Sequence, residues 1–409
     1  MNNHRKLIGR ATSITAIAVL LGVGAWTVPV AASEVRPDSQ TQPTGSWDII
    51  PDEMKFSEEE IRFQSERAEA AGKSLEDVRA DDIASLQLGE LALQLRTNSP
   101  NTFMESRWRP EETPQGQIIL VGDVPAESWT LIKSAPIAVD VIVTDGPNRT
   151  EADATIDALI EDIQSQSYVP AVTAGYDPIE RVYTLAYMGD ELTADEIPQA
   201  RMADGASVEL TYAGSDLSGV GPQFFGGDPI GGSCTAGFVI WNGQSTYGIS
   251  TAAHCPNLNG NFNYGNGLFS NGGTLNPLYG DVRWGWASAG TITKYFRDTT
   301  TSLVPVTSLA DPSAGQPHCT YGKNSKTSCG TVFETGLTIV WAGYPTLKGM
   351  ACDTTPHTVL GDSGGPNFGG YAALGLTSGV YPKGPNNGRA TCFTPVGNLP
   401  LGAGIQIHK

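Results

Sequence analysis

All six cysteines of this 409-residue chain, Cys234, Cys255, Cys319, Cys329, Cys352 and Cys392, lie after Pro222. An even set confined to one stretch reads as a disulfide framework and commits that stretch to a stapled, loop-rich fold. Spacing alone leaves the pairing open, because six cysteines admit many connectivities. A zinc site is the alternative, but paired Cys-x-x-Cys spacing is missing, so no metal is expected. Formal charge divides at the same place. Residues before Pro222 hold 16 Lys and Arg against 36 Asp and Glu, and those from Pro222 onward hold nine against seven. The split predicts two separately built units, and the acidity does not suggest a nucleic-acid partner, which would need a basic stripe, so none is expected.

The chain opens with a basic cluster at His4, Arg5, Lys6 and Arg10, then an apolar run to about Pro29 and small residues at Ala31, Ala32 and Ser33. That order reads as a secretory signal peptide over 1–33, cleaved after Ala32 or Ser33. The run is short for a bilayer span, so no membrane anchor is expected after cleavage.

Residues 34–221 have a design of their own. The 56–96 stretch is rich in helix formers, with apolar positions including Ile61, Phe63, Leu75, Val78, Leu86 and Leu88. Strand-like runs come next at 117–121, 138–143, 181–187 and 208–212. Between the second and third of these, residues 151–166 place Ile156, Leu159, Ile160 and Ile163 at helical spacing. Helices and then strands around one helix predict a small α+β unit. A glycine-rich run at 218–227 separates it from the cysteine-bearing part and reads as a processing linker. Residues 222–409 are rich in Gly, Asn, Ser and Thr, with short β-prone stretches at 236–241, 291–296, 338–341 and 372–376. Many short strands with glycine turns predict an all-β domain.

Two strings in that domain carry chemistry: Thr251-Ala252-Ala253-His254-Cys255 and Gly361-Asp362-Ser363-Gly364-Gly365-Pro366. A serine hydroxyl becomes a nucleophile when a neutral imidazole takes its proton and a buried carboxylate orients the ring. The oxyanion then needs N–H donors aimed by a tight turn. Gly361 and Ser363 are the expected donors. Of five histidines, His4 and His408 lie near the ends, leaving His254, His318 and His357. The acids between His254 and Ser363 are Asp281, Asp298, Asp311, Glu334, Asp353 and Asp362. Asp362 adjoins the nucleophile and cannot reach the far side of the imidazole. Asp281, in a turn entering a β-prone segment, is the expected third member, with Asp298 as runner-up.

In the order His then Ser, these strings resemble the chymotrypsin-like serine peptidases. The part after Pro222 resembles their bacterial branch, the streptogrisins and alpha-lytic protease, and the gap from His254 to Asp281 is similar to the branch's short loop. The resemblance implies a double antiparallel β-barrel with the cleft between the barrels. It implies the pairs Cys234–Cys255, Cys319–Cys329 and Cys352–Cys392. It also implies that Ser378 contacts the triad carboxylate, with Ser378 and Gly379 on a strand that binds substrate by β-augmentation. In arrangement, residues 34–221 resemble the pro-regions of these proteases, which act as folding templates and inhibitors.

Two departures stand out. The relatives carry an arginine just after the first cysteine of the small disulfide loop, where it pairs with the aspartate before the nucleophile. Here that position is Thr320, with Lys323 as the candidate substitute, although a lysine lacks the two-pronged guanidinium. The loop from Cys352 to Ser363 is also longer than in the relatives. His357 in that loop is expected in solvent. Asp353 is the only acid near the pocket floor, so a trypsin-like preference is not expected.

The resulting expectation is a secreted serine endopeptidase, made as an inactive precursor and acting as a monomer. It would take peptide or protein substrates and its own pro-region as partners, and need no cofactor. The alternatives are a catalytically idle homologue that binds peptides through the same cleft, and an esterase with the same triad. The second lacks a surrounding α/β-hydrolase pattern.

Overall fold

Serine caps start the α-helices Glu58–Ala71 and Leu75–Asn98. Ser57 and Glu60 close a capping box on one, Ser74 and Asp77 on the other. The computed structural model describes residues 47–192, 206–214, 221–222, 229–230, 234–244, 246–255, 269–287, 294–341, 343–354, 357–384 and 388–409. Residues 1–33, read as a signal peptide, and most of the 218–227 run, read as a linker, lie outside the described residues.

The second helix buries Leu88, Leu91, Ala92 and Leu95 against strands Phe103–Trp108, Gly116–Val121 and Val139–Thr144, which form one three-stranded sheet. The helix expected at 151–166 runs Arg149–Gln166 behind an Asn148 cap. Its Ile156, Leu159, Ile160 and Ile163 are buried together with Tyr176, Tyr183 and Leu185, as the helical spacing required. This part is α+β. Three of its elements were not expected: strands Phe103–Trp108 and Ala171–Asp177 and helix Ala126–Ser134.

After Pro222 the described residues are almost entirely strand and loop. One five-stranded sheet runs in the order Phe269–Thr274, Arg283–Ala287, Tyr247–Thr251, Val239–Trp241 and Gln406–Ile407. A larger sheet contains Pro317–Gly322, Pro366–Gly369, Ala372–Gly384, Gly388–Pro395, Leu347–Asp353 and Lys326–Trp341. Phe238, Phe296, Phe368 and Leu376 fill a core drawn from both, with the Phe238–Phe296 and Phe296–Phe368 rings 5.2 and 5.0 Å apart. The disulfides are Cys234–Cys255, Cys319–Cys329 and Cys352–Cys392.

The larger sheet does not stop at the C-terminal part. Ala171–Asp177 pairs antiparallel with Lys326–Trp341, placing Ala171 opposite Trp341 and Ala174 opposite Thr338. Strands Val182–Met188 and Ser207–Tyr212 extend the same sheet outward. Polar contacts add to this joint. Arg96 pairs with the buried Asp311 at 3.0 Å, and the buried Glu60 accepts the Gly370 N–H at 2.6 Å. Among the described residues, no helix is long and apolar enough to cross a membrane.

Candidate active site

His254 comes just after the strand Tyr247–Thr251, and its neighbour Cys255 is tied to Cys234, so the turn carrying the imidazole is anchored on both sides. Asp281 sits just before the strand Arg283–Ala287, which pairs with Tyr247–Thr251. That pairing brings the two residues together. Gly280 makes the approach possible: its φ is +115°, and a Cβ there would lie 2.5 Å from the Thr394 methyl carbon. The Thr394 hydroxyl in turn accepts the Asp281 N–H at 2.9 Å.

The carboxylate meets the histidine twice. His254 Nδ1 lies 2.6 Å from Asp281 Oδ2, and the His254 backbone N–H donates to Oδ1 at 3.1 Å. Ser378 Oγ donates to Oδ2 at 2.6 Å. Burial of the Asp281 carboxyl pushes its pKa up. The charge of His254 and the hydrogen bonds from His254 and Ser378 outweigh that, and hold it below the usual aspartate value. Asp281 therefore stays ionised and fixes the ring with Nε2 turned away from it. Asp298, the runner-up, is buried elsewhere, and its backbone carbonyl accepts the Thr327 hydroxyl.

Ser363 is fully buried, and its Oγ donates to the Ser378 carbonyl at 3.2 Å. Two backbone bonds fix its turn: Thr235 N–H to Ser363 O at 2.8 Å and Gly364 N–H to Thr377 O at 2.7 Å. Gly364 has φ +90°, and a Cβ on it would lie 2.2 Å from Thr251 Oγ1. Gly361 has φ +122°, a conformation suited to glycine at the head of this turn. The structure thus gathers His254, Asp281, Ser363 and Ser378 into one hydrogen-bonded group, with Gly361 and Gly379 adjoining it in sequence.

Asp362, the residue before Ser363, is held in a way the sequence did not suggest. Asp362 Oδ1 accepts the backbone N–H groups of Asn324 at 3.0 Å and Ser325 at 3.3 Å, and Oδ2 accepts that of Val359 at 2.8 Å. The Asn324 side chain also donates to the Leu360 carbonyl at 2.7 Å. Lys323 does not replace the missing arginine; the turn after it does, with main-chain donors. Thr320 hydrogen-bonds the Thr377 hydroxyl instead, at 2.9 Å. Nothing in a sequence marks backbone N–H groups as carboxylate ligands, so this clamp left no signal to read. His357 also departs from expectation. Its side chain is only 8 % exposed and lies 3.2 Å from Asp353.

A cavity of about 290 Å³ opens beside the group, lined by His254, Asp281, Trp341, Tyr344, Leu347 and Tyr381 among others. The strand edge beyond Ser378 is paired with the chain's own Gly221–Pro222, with Gly379 opposite Pro222 and Val380 opposite Gly221.

No family model matches the chain. It is 30 % identical to serine protease 1 of Streptomyces fradiae over 278 residues, which cover 64 % of this chain and 74 % of that protein. It is 33 % identical to glutamyl endopeptidase 2 of Streptomyces griseus over 166 residues, or 39 % of this chain and 83 % of that protein. Streptogrisin-D of the same organism is 29 % identical over 211 residues, half of this chain and 52 % of that protein. With these relatives, the chain belongs to the chymotrypsin-like serine peptidases, in their streptogrisin branch, and is a serine endopeptidase.

Proposed function

We propose that the chain hydrolyses peptide bonds through a Ser363–His254–Asp281 triad and is exported as a precursor that holds itself inactive. The observation that carries the catalytic part is the continuous group from Asp281 to His254 and Ser378, with Ser363 bonded to the Ser378 carbonyl.

In this reading Ser363 Oγ leaves the Ser378 carbonyl and gives its proton to His254 Nε2 as it attacks the substrate carbonyl carbon. The Gly361 and Ser363 N–H groups receive the oxyanion. Asp281 remains ionised and stabilises the imidazolium. His254 then protonates the departing amine, which leaves an acyl-Ser363. Water, deprotonated by His254, attacks that ester, and the proton returns to Ser363 Oγ as the acid is released.

Residues 1–33 serve as the signal peptide and residues 34–221 as the pro-region of the 222–409 protease domain. The pairing of Gly221–Pro222 with Gly379–Val380 supports inhibition in place, since it occupies the strand edge that an extended substrate would join. Maturation would cut the 218–227 run.

The test is expression of the full chain for secretion, with intact mass monitored beside Ser363→Ala. The wild type should shorten to a species starting near Pro222 while the variant stays long. If both stay long, the self-processing precursor is ruled out.

A further inference from the structure

Three donor side chains outside the catalytic group converge in the body of the larger sheet. His318 Nε2 lies 2.7 Å from Asp353 Oδ2, and His357 Nδ1 lies 3.2 Å from the same oxygen. All three donor atoms fall within 4.8 Å of one another. The His318 and Asp353 side chains are fully buried, and that of His357 is 8 % exposed.

The trio has the marks of a built site. His318 belongs to the strand Pro317–Gly322 and Asp353 ends the strand Leu347–Asp353, so sheet pairing fixes both backbones. The Thr354 hydroxyl donates to Asp353 Oδ1 at 3.0 Å, which orients the carboxylate and leaves Oδ2 toward the rings. The His357 N–H donates to the Thr391 hydroxyl at 3.0 Å, which anchors the third donor. Opposite His318 stands Gly330, where a Cβ would lie 2.1 Å from Asp353 Oδ2. Any side chain there would fill the space the carboxylate uses. The Phe393 ring packs against that of His318, with the ring centres 5.0 Å apart.

We infer that His318, Asp353 and His357 form a binding site for one divalent transition-metal ion of the zinc class. Two imidazoles and a carboxylate are a donor set that zinc accepts, with a fourth position for water. A tetrahedral ion with bonds of about 2.0–2.1 Å places its ligand atoms about 3.3 Å apart. The His318–Asp353 and His357–Asp353 separations, 2.7 and 3.2 Å, lie below that figure, so both rings must draw back slightly from the carboxylate to admit the ion. Binding requires the His318 Nε2 lone pair to face the ion, and among the described residues Nδ1 has no hydrogen-bond partner that holds the ring against a small shift. His357, the least buried donor, is the side from which the ion enters. The inference does not rest on the proposed triad, because none of the three residues belongs to it.

The test uses the full chain carrying Ser363→Ala, stripped with a chelator and titrated with cobalt(II) and with zinc(II). The expected result is one equivalent of either ion per chain, the visible absorption of four-coordinate cobalt, and a higher Tm with zinc. His357→Asn, near the surface, should abolish the cobalt absorption while leaving near-ultraviolet circular dichroism unchanged. Asp353→Asn should weaken zinc binding at least tenfold. Failure of the unmodified site to take up either ion would overturn the inference. So would uptake that His357→Asn and Asp353→Asn leave unchanged.

Discussion

Ser378 meets Ser363 and the buried Asp281 at once: its carbonyl accepts the Ser363 hydroxyl at 3.2 Å, and its own hydroxyl donates to Asp281 at 2.6 Å. A hydrogen bond to an ionised group contributes about 1.5–3 kcal/mol. Ser378→Ala is therefore expected to lower kcat about tenfold or more. KM should change little, because the backbone edge remains. Steady-state kinetics on a peptide amide checks this.

Asp281→Asn should cost roughly 10³–10⁴ in kcat, since an amide cannot hold the imidazole tautomer that leaves Nε2 free to accept the serine proton. The variant should also lose acid sensitivity of folding. The Asp281 carboxyl is depressed in the folded chain, so its contribution to stability is present above the unfolded pKa and is lost as pH falls through the folded one. Thermal melts of the wild type and variant between neutral and acid pH should converge at the acid end. Parallel curves would contradict the assignment.

Asn324→Ala removes the side-chain bond to the Leu360 carbonyl but keeps the backbone donor to Asp362. One neutral hydrogen bond of about 1 kcal/mol corresponds to a fall in kcat of about fivefold. Asn324→Pro removes the backbone donor as well and should cost considerably more. Equal rates for the wild type and both variants would mean that the turn does not position the oxyanion loop.

The joint between the N-terminal and C-terminal parts should be pH-dependent. Burial pushes the Glu60 carboxyl up to about 7, against the N–H groups of Ser57 and Gly370. Burial, with the nearby Glu105 and Asp177, does the same to Glu334. An acid with a raised folded pKa is neutral in both states at low pH. Its cost to folding grows from the ordinary value of 4.5 up to about 7 and is constant above that. The unprocessed Ser363→Ala chain should thus lose stability across that window, and Glu60→Gln should flatten the loss. Denaturant titration at several pH values decides, and an unaltered slope in Glu60→Gln would contradict it.

The residues most legible in the sequence were those whose chemistry sits in contiguous strings. His254 beside Cys255, and Ser363 between Asp362 and two glycines, needed no long-range information. Asp281 was legible because a turn entering a strand announces where a carboxylate can be presented. The helix through Ile156 and Ile163 showed its buried face by period. The strand Ala171–Asp177 did not, because it is buried nearly throughout and its Ala-Val-Thr-Ala-Gly run has no alternation to detect. The Asp362 clamp uses backbone donors that every residue has. His318 and Asp353 are brought together from strands 35 residues apart, His357 joins them from a loop, and no local pattern marks the trio.

The most direct test of the central claim is fluorophosphonate labelling of the purified chain, with the adduct mapped by peptide mass. A single adduct on Ser363 is expected, lost in His254→Ala, in which the imidazole that takes the hydroxyl proton is gone. An unlabelled wild type, or labelling of Ser363 that His254→Ala leaves undiminished, would contradict it.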